Sequence, residues 1–100
     1  MNKNEAMRIT QEECAEVIQA ISKVFRFGID GVHEGKTNRE SLTEEVGDLL
    51  CMINLLTESG ILDETKVKFC SLKKREKLEK WSNVFDREFD LQEFREFGVL

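Results

Sequence analysis

Between Gln11 and Phe27 the apolar residues Cys14, Val17, Ile18, Ile21, Val24 and Phe25 recur at spacings of three and four, with acids, amides and Lys23 between them. That is the helical period, so the pattern predicts an amphipathic helix with one face turned to a partner. The pattern extends back to Asn4, and Thr10 with Glu13 has the form of a capping box. Gly28, Gly31 and Gly35, interspersed with Asp30, Lys36 and Thr37, interrupt it and predict a loop without regular structure. Leu42, Val46, Leu49, Leu50, Ile53 and Leu56 resume the period, giving a second helix capped by Asn38, running to about Glu58 and stopped by Gly60. Asp63 is the expected cap of a third helix to about Ser82, with Val67, Cys70, Leu78 and Trp81 on its apolar side. In the tail, 83–100, Phe85, Phe89, Phe94 and Phe97 alternate with acids in the manner of a short helix that docks on a partner surface.

Composition supports an all-α reading of three main helices plus a C-terminal tail. Proline and tyrosine are absent from the 100 residues, whereas a sandwich or barrel needs turn formers and β-branched residues. The length fits a single domain, 1–100, with barely enough surface to bury for one core. The second helix is apolar over much of its circumference, more than its two neighbours can cover, so a second copy of the chain is the expected lid. A net charge of −5 argues against nucleic acid and against an acidic membrane surface as partners. The longest apolar run, Val46 to Leu56, contains Asp48 and Asn54 and is far short of a membrane span. The first ten residues are charged at Lys3, Glu5 and Arg8, unlike a leader. Cys14, Cys51 and Cys70 are too far apart for a zinc signature and read as free thiols, which places the protein in the cytoplasm.

Two carboxylate pairs stand out. Glu12-Glu13-Cys14-Ala15-Glu16 puts Glu13 and Glu16 on one side of the first helix, and Glu44-Glu45-Val46-Gly47-Asp48 does the same for Glu45 and Asp48 on the second. Antiparallel packing would let the pairs meet around one hard cation such as Mg²⁺. In a chain this acidic, isolated pairs at that spacing arise on solvated helix faces without any ligand. Their apolar context makes these two different. Asp48 is the only charge between Val46 and Leu56, and Val17 and Ile18 follow Glu16. Asp48 could equally reach water along an edge with Gly47, Cys51 and Asn54. Lys23 continues the face of Glu13 and Glu16, and Arg26 lies about one turn further. Positive charge beside a metal site is what a phosphate group requires. The third helix is the basic one, and its Lys66, Lys73, Lys77 and Lys80 form either a solvated face or a wall of cations for a polyphosphate.

Other chemistries fit poorly. The lone His33 sits in the glycine-rich loop, so neither a Glu-x-x-His di-iron bundle nor a Ser-His-Asp or Cys-His constellation can be built on the helices. No GxxxxGK phosphate loop is present. Trp81 reads as a core residue rather than a platform for a base.

In order along the chain, Glu12-Glu13-Cys14-Ala15-Glu16 and Glu45-Val46-Gly47-Asp48 resemble the EExxE…ExxD pattern of the MazG-like, all-α nucleoside triphosphate pyrophosphohydrolases. The resemblance spans roughly 5–58, with the basic stretch Lys73 to Trp81 similar to the family's third segment; the tail matches nothing. It implies hydrolysis of a (deoxy)nucleoside triphosphate between the α and β phosphates, to a monophosphate and pyrophosphate, with Mg²⁺, or Mn²⁺ in its place. It implies Glu13, Glu16, Glu45 and Asp48 as metal ligands and Glu12 as the residue that orients or deprotonates the attacking water. Lys23, Arg26, Lys73 and Lys77 would contact phosphates. The family also implies a homodimer or homotetramer whose helices complete a four-helix-bundle-type core. The base would be read by loop atoms, by residues near Met52 and Asn54, and by another subunit. Two other functions compete: a non-catalytic helical interaction module that uses the Phe-rich tail, and a phosphoribosyl-ATP pyrophosphohydrolase. The latter shares the metal logic, but the loop Gly28 to Arg39 shows nothing that would read its base and sugar.

Overall fold

The computed structural model describes residues 1–86, which form three α-helices and one small hairpin in the order α1 (Lys3–Phe27), β1 (Val32–His33), β2 (Lys36–Thr37), α2 (Asn38–Glu58) and α3 (Glu64–Trp81). The all-α class holds. Phe89, Phe94 and Phe97 lie outside the described residues, while Phe85 packs beside α3 with the Arg75 guanidinium 4.8 Å from its ring.

Helix α1 starts earlier than the pattern from Gln11 suggests. Asn2 is the cap, its side-chain oxygen accepting from the Glu5 amide at 2.9 Å. Thr10 does not cap anything, because its hydroxyl donates to the Ala6 carbonyl at 2.7 Å from within the helix. At the start of α2 the cap is Thr37, which accepts from the Glu40 amide, and Asn38 is the first helical residue. Asp63 caps α3 as expected, accepting from the Lys66 amide at 3.0 Å.

The glycine-rich segment is more ordered than a loop. Val32 pairs with Thr37 and His33 with Lys36, across a turn in which Glu34 (φ 52°) and Gly35 (φ 81°) both take positive φ. Two positive-φ residues are what a tight hairpin needs to match the strand twist. Asn38 ties this segment down. Buried at 5 % exposure, its side-chain amide donates to the Gly28 carbonyl at 2.8 Å, and its backbone N–H donates to the Gly31 carbonyl at 2.9 Å. Gly31 is required there because a Cβ would collide with the Phe27 carbonyl oxygen.

Helices α1 and α2 pack antiparallel. At one end Ala6 meets Met52 and Leu56, backed by Ile9, Leu55 and Leu62; at the other, Ala20 and Val24 are buried. Met52 is thus buried in the seam between the helices, and Asn54 is exposed. The molecule is flat, with a smallest principal extent of 14 Å against 43 and 39 Å for the other two. The buried core is confined to the seam between the two helices, and much of the predicted apolar stripe lies open: Ile18, Phe25, Val46 and Leu50 are all exposed. Helix α3 has no buried residue. Of its expected apolar side, Leu78 is half-buried, while Val67, Cys70 and Trp81 are exposed, Trp81 at 78 %. The expectation of Trp81 in a core therefore fails within one chain.

The anchor makes a stability prediction. Asn38→Ala removes a buried donor and leaves the Gly28 carbonyl with only its longer bond from the Gly31 amide at 3.2 Å, at an expected cost of about 1–2 kcal/mol in urea unfolding. Thr37→Ala, which removes only the exposed cap, costs about 1 kcal/mol.

Candidate metal and phosphate site

From the Asn38 anchor, about two turns along α2 reach Glu45 and about three reach Asp48; from Val24, the same distances back along α1 reach Glu16 and Glu13. Antiparallel packing thus brings the two acidic stretches level with each other. One carboxylate oxygen each from Glu13, Glu45 and Asp48 lie within 4.8 Å of one another. Glu13 and Glu45 are half-buried and Asp48 is exposed. Asp48 thus keeps contact with water while joining the cluster, so the two readings of its position are compatible. Glu16, a turn beyond Glu13, is exposed and lines the adjoining cleft together with Glu45.

The electrostatics match this crowding. Partial desolvation, followed by the charges of Asp48, Glu45, Glu16 and Glu12, holds the Glu13 carboxyl above the usual carboxylate range. Glu12 itself is exposed, next to the cluster along α1, and takes part through that field. The donors are all hard carboxylate oxygens, with no imidazole or thiolate in the cluster. Such a set fits Mg²⁺ or Mn²⁺ better than a softer metal.

Beside the carboxylates opens a cleft of about 240 Å³ whose lining includes Glu16, Glu45, Lys23, Lys36, His33 and Ser41. A second, more apolar slot of about 270 Å³, formed by Phe27, Gly31 and Val32, shares Lys23, His33 and Asn38 with the first. The hairpin that the sequence pattern leaves as a featureless loop therefore builds one wall of both. Lys36 is the residue that sequence reasoning missed. Its ammonium donates to Glu44 Oε2 at 2.8 Å, and this bond, reinforced by the Glu44 charge, raises it above the ordinary lysine range. A lysine just before a helix cap carries no periodic signal that would have singled it out.

The other expected phosphate contacts are placed less centrally. Lys23 lines both cavities. The Arg26 guanidinium lies 5.1 Å from the ring of Phe27, which lines the apolar slot, but Arg26 itself lines neither cavity. Lys73 pairs with Glu76 at 3.6 Å on α3, Lys77 is exposed on the same helix, and neither lines the cleft within one chain.

Fold and site together define an all-α protein with a carboxylate cluster fit to hold a divalent cation beside a lysine-lined cleft. The family model of the MazG nucleotide pyrophosphohydrolase domain matches residues 2–80, and the chain belongs to that family. Comparison with curated proteins and with solved structures returned no match.

The raised Glu13 carboxyl has a pH signature with a definite sign. The folded state holds this proton more tightly than the unfolded chain, so stability falls as pH rises from the ordinary glutamate range through the raised value. Without divalent cations, the melting temperature should fall across that window. Saturating Mg²⁺ should restore it by mass action, and Glu13→Gln should flatten both responses. Melting curves with and without EDTA read all three.

Proposed function

We propose that the protein is a Mg²⁺-dependent pyrophosphohydrolase of (deoxy)nucleoside triphosphates, releasing the monophosphate and pyrophosphate. The observation that carries this reading is the adjacency of the carboxylate cluster, the lysine-lined cleft and the apolar slot: Glu45 belongs to the first two, and Lys23, His33 and Asn38 line both cavities. A nucleotide has the same sequence of parts: a charged polyphosphate and a flat, largely apolar base. Family membership supports the reaction class.

In this reading Glu13, Glu16, Glu45 and Asp48 hold the cation, which supplies charge neutralisation for the phosphates and an acidified water. Glu12, exposed beside the cluster, orients the attacking water and accepts its proton. Lys23, which lines both cavities, binds phosphate oxygens. The base occupies the slot between Phe27 and Val32, with Arg26 stacked on Phe27 to keep that ring in place.

The active form in this reading is a homodimer or homotetramer. A single layer of helices that exposes Ile18, Val46, Leu50, Phe69 and Leu72 gains most of its core by stacking on a second copy. Lys73 and Lys77, which do not line the cleft of their own chain, reach phosphates from α3 of such a neighbour. Among the described residues no helix is long and apolar enough to cross a membrane, and three exposed free thiols suit the reducing cytoplasm.

The test is pyrophosphate release from a panel of nucleotides with Mg²⁺. Wild type should hydrolyse at least one member, and Glu16→Ala and Asp48→Ala should each lower the rate by more than about a hundredfold, the upper range for residues that merely support a metal ligand. A folded wild type that releases pyrophosphate from no member, or variants as active as wild type, would sink the proposal.

A further inference from the structure

Lys23 and Lys36 are the lysines that line the polar cleft, so any polyphosphate seated against the carboxylates meets both. Their surroundings differ. Lys36 stands on a fixed base: its strand partner is His33, Gly35 makes the turn before it, and Thr37 after it caps α2. Only the tip of its side chain is free to choose a partner. At 2.8 Å that partner is Glu44, the residue immediately before the cluster member Glu45. The two side chains are 52 % and 56 % exposed, and an ion pair so open to water adds little to folding stability. Its placement at the mouth of an acidic cleft has a different consequence. Lys36 stays charged and stays over the cleft, yet is already neutralised until a stronger anion arrives.

We propose that Lys36 is a phosphate-binding residue of the substrate site, held in place by Glu44 and transferred from that carboxylate to a polyphosphate oxygen when the nucleotide enters. The proposal rests on the nucleotide reading of the site and adds a residue and an exchange to it. Glu44 and the substrate compete for one ammonium, so the two residues have opposite effects on affinity. Lys36 favours substrate through a charge-assisted hydrogen bond; Glu44 opposes it by occupying the same donor. The exchange also sets an order, because the freed Glu44 adds negative charge next to Glu45 only when the substrate phosphates are present to draw a cation.

The experiment is a double-mutant cycle on the full chain, reading KM for the nucleotide that wild type hydrolyses fastest at saturating Mg²⁺. Lys36→Met should raise KM by about tenfold or more, the scale of one lost hydrogen bond to a charged group. Lys36→Arg should recover part of it, and Glu44→Gln alone should lower KM. In the Lys36→Met background, Glu44→Gln should do nothing further. Melting curves should overlay wild type for all variants, since the pair is exposed. A KM for Lys36→Met within twofold of wild type, or a Glu44→Gln effect that survives without Lys36, overturns the proposal. Calorimetric binding of inorganic tripolyphosphate with Mg²⁺ separates the two levels. If wild type hydrolyses no nucleotide, the enzymatic reading fails. Weaker tripolyphosphate binding by Lys36→Met would still support its role toward phosphate, and unchanged binding would refute it.

Discussion

The structure depends on a repulsion. Packing α1 against α2 forces the carboxylates of Glu13, Glu45 and Asp48 to within 4.8 Å of one another, with Glu16 beside them. Like charges at that separation work against the fold, and the Glu13 carboxyl, raised first by partial desolvation and then by these neighbouring charges, reflects the crowding. The packing is nonetheless imposed by what lies on either side. Ala6 with Met52 and Leu56 closes one end, and Ala20 with Val24 and the Asn38 anchor closes the other. Hydrophobic contacts at both ends hold an unfavourable centre together, and under the proposed function a divalent cation would turn that centre into a ligand set.

The same two helices explain the shape of the rest. A pair of amphipathic helices joined by a short hairpin can shield only the seam between them, so a flat molecule is the natural result. Small side chains at the seam, Ala6 and Ala20, let the helices approach closely, which brings the carboxylates within reach of each other. The hairpin is more than a connector. Its Asn38 anchor sets where α2 begins, and its Val32 and Lys36 form the wall that turns an acidic seam into a cleft with a polar half and an apolar half.

Much of this was legible in the sequence for physical reasons. Three helices followed from the period of the apolar residues, and Asp63 was readable as a cap because a short acid before a helical run has few other uses. The acidic cluster was legible because helical spacing fixes which side each carboxylate leaves from. The errors have equally specific causes. Thr10 and Glu13 imitate a capping box in the middle of a helix, where Thr10 bonds back to Ala6. Strands of two residues are too short to show an alternating pattern, so the hairpin, and with it Lys36, left no trace in periodicity. Val67, Cys70 and Trp81 fall on one side of α3 by helical spacing, but spacing does not say whether a neighbour covers that side, and within one chain α3 is left with no buried residue.

The central claim is that Glu13, Glu45 and Asp48 form one cation site and not three separate surface acids. Electron paramagnetic resonance of Mn²⁺ titrated into the protein tests this directly, because bound and free ion give different signals. The account predicts saturable binding of Mn²⁺, displaced by excess Mg²⁺ and lost in Glu45→Gln, although that residue and Glu13 lie on different helices. Mn²⁺ binding that is equally strong in Glu45→Gln and in wild type would contradict it.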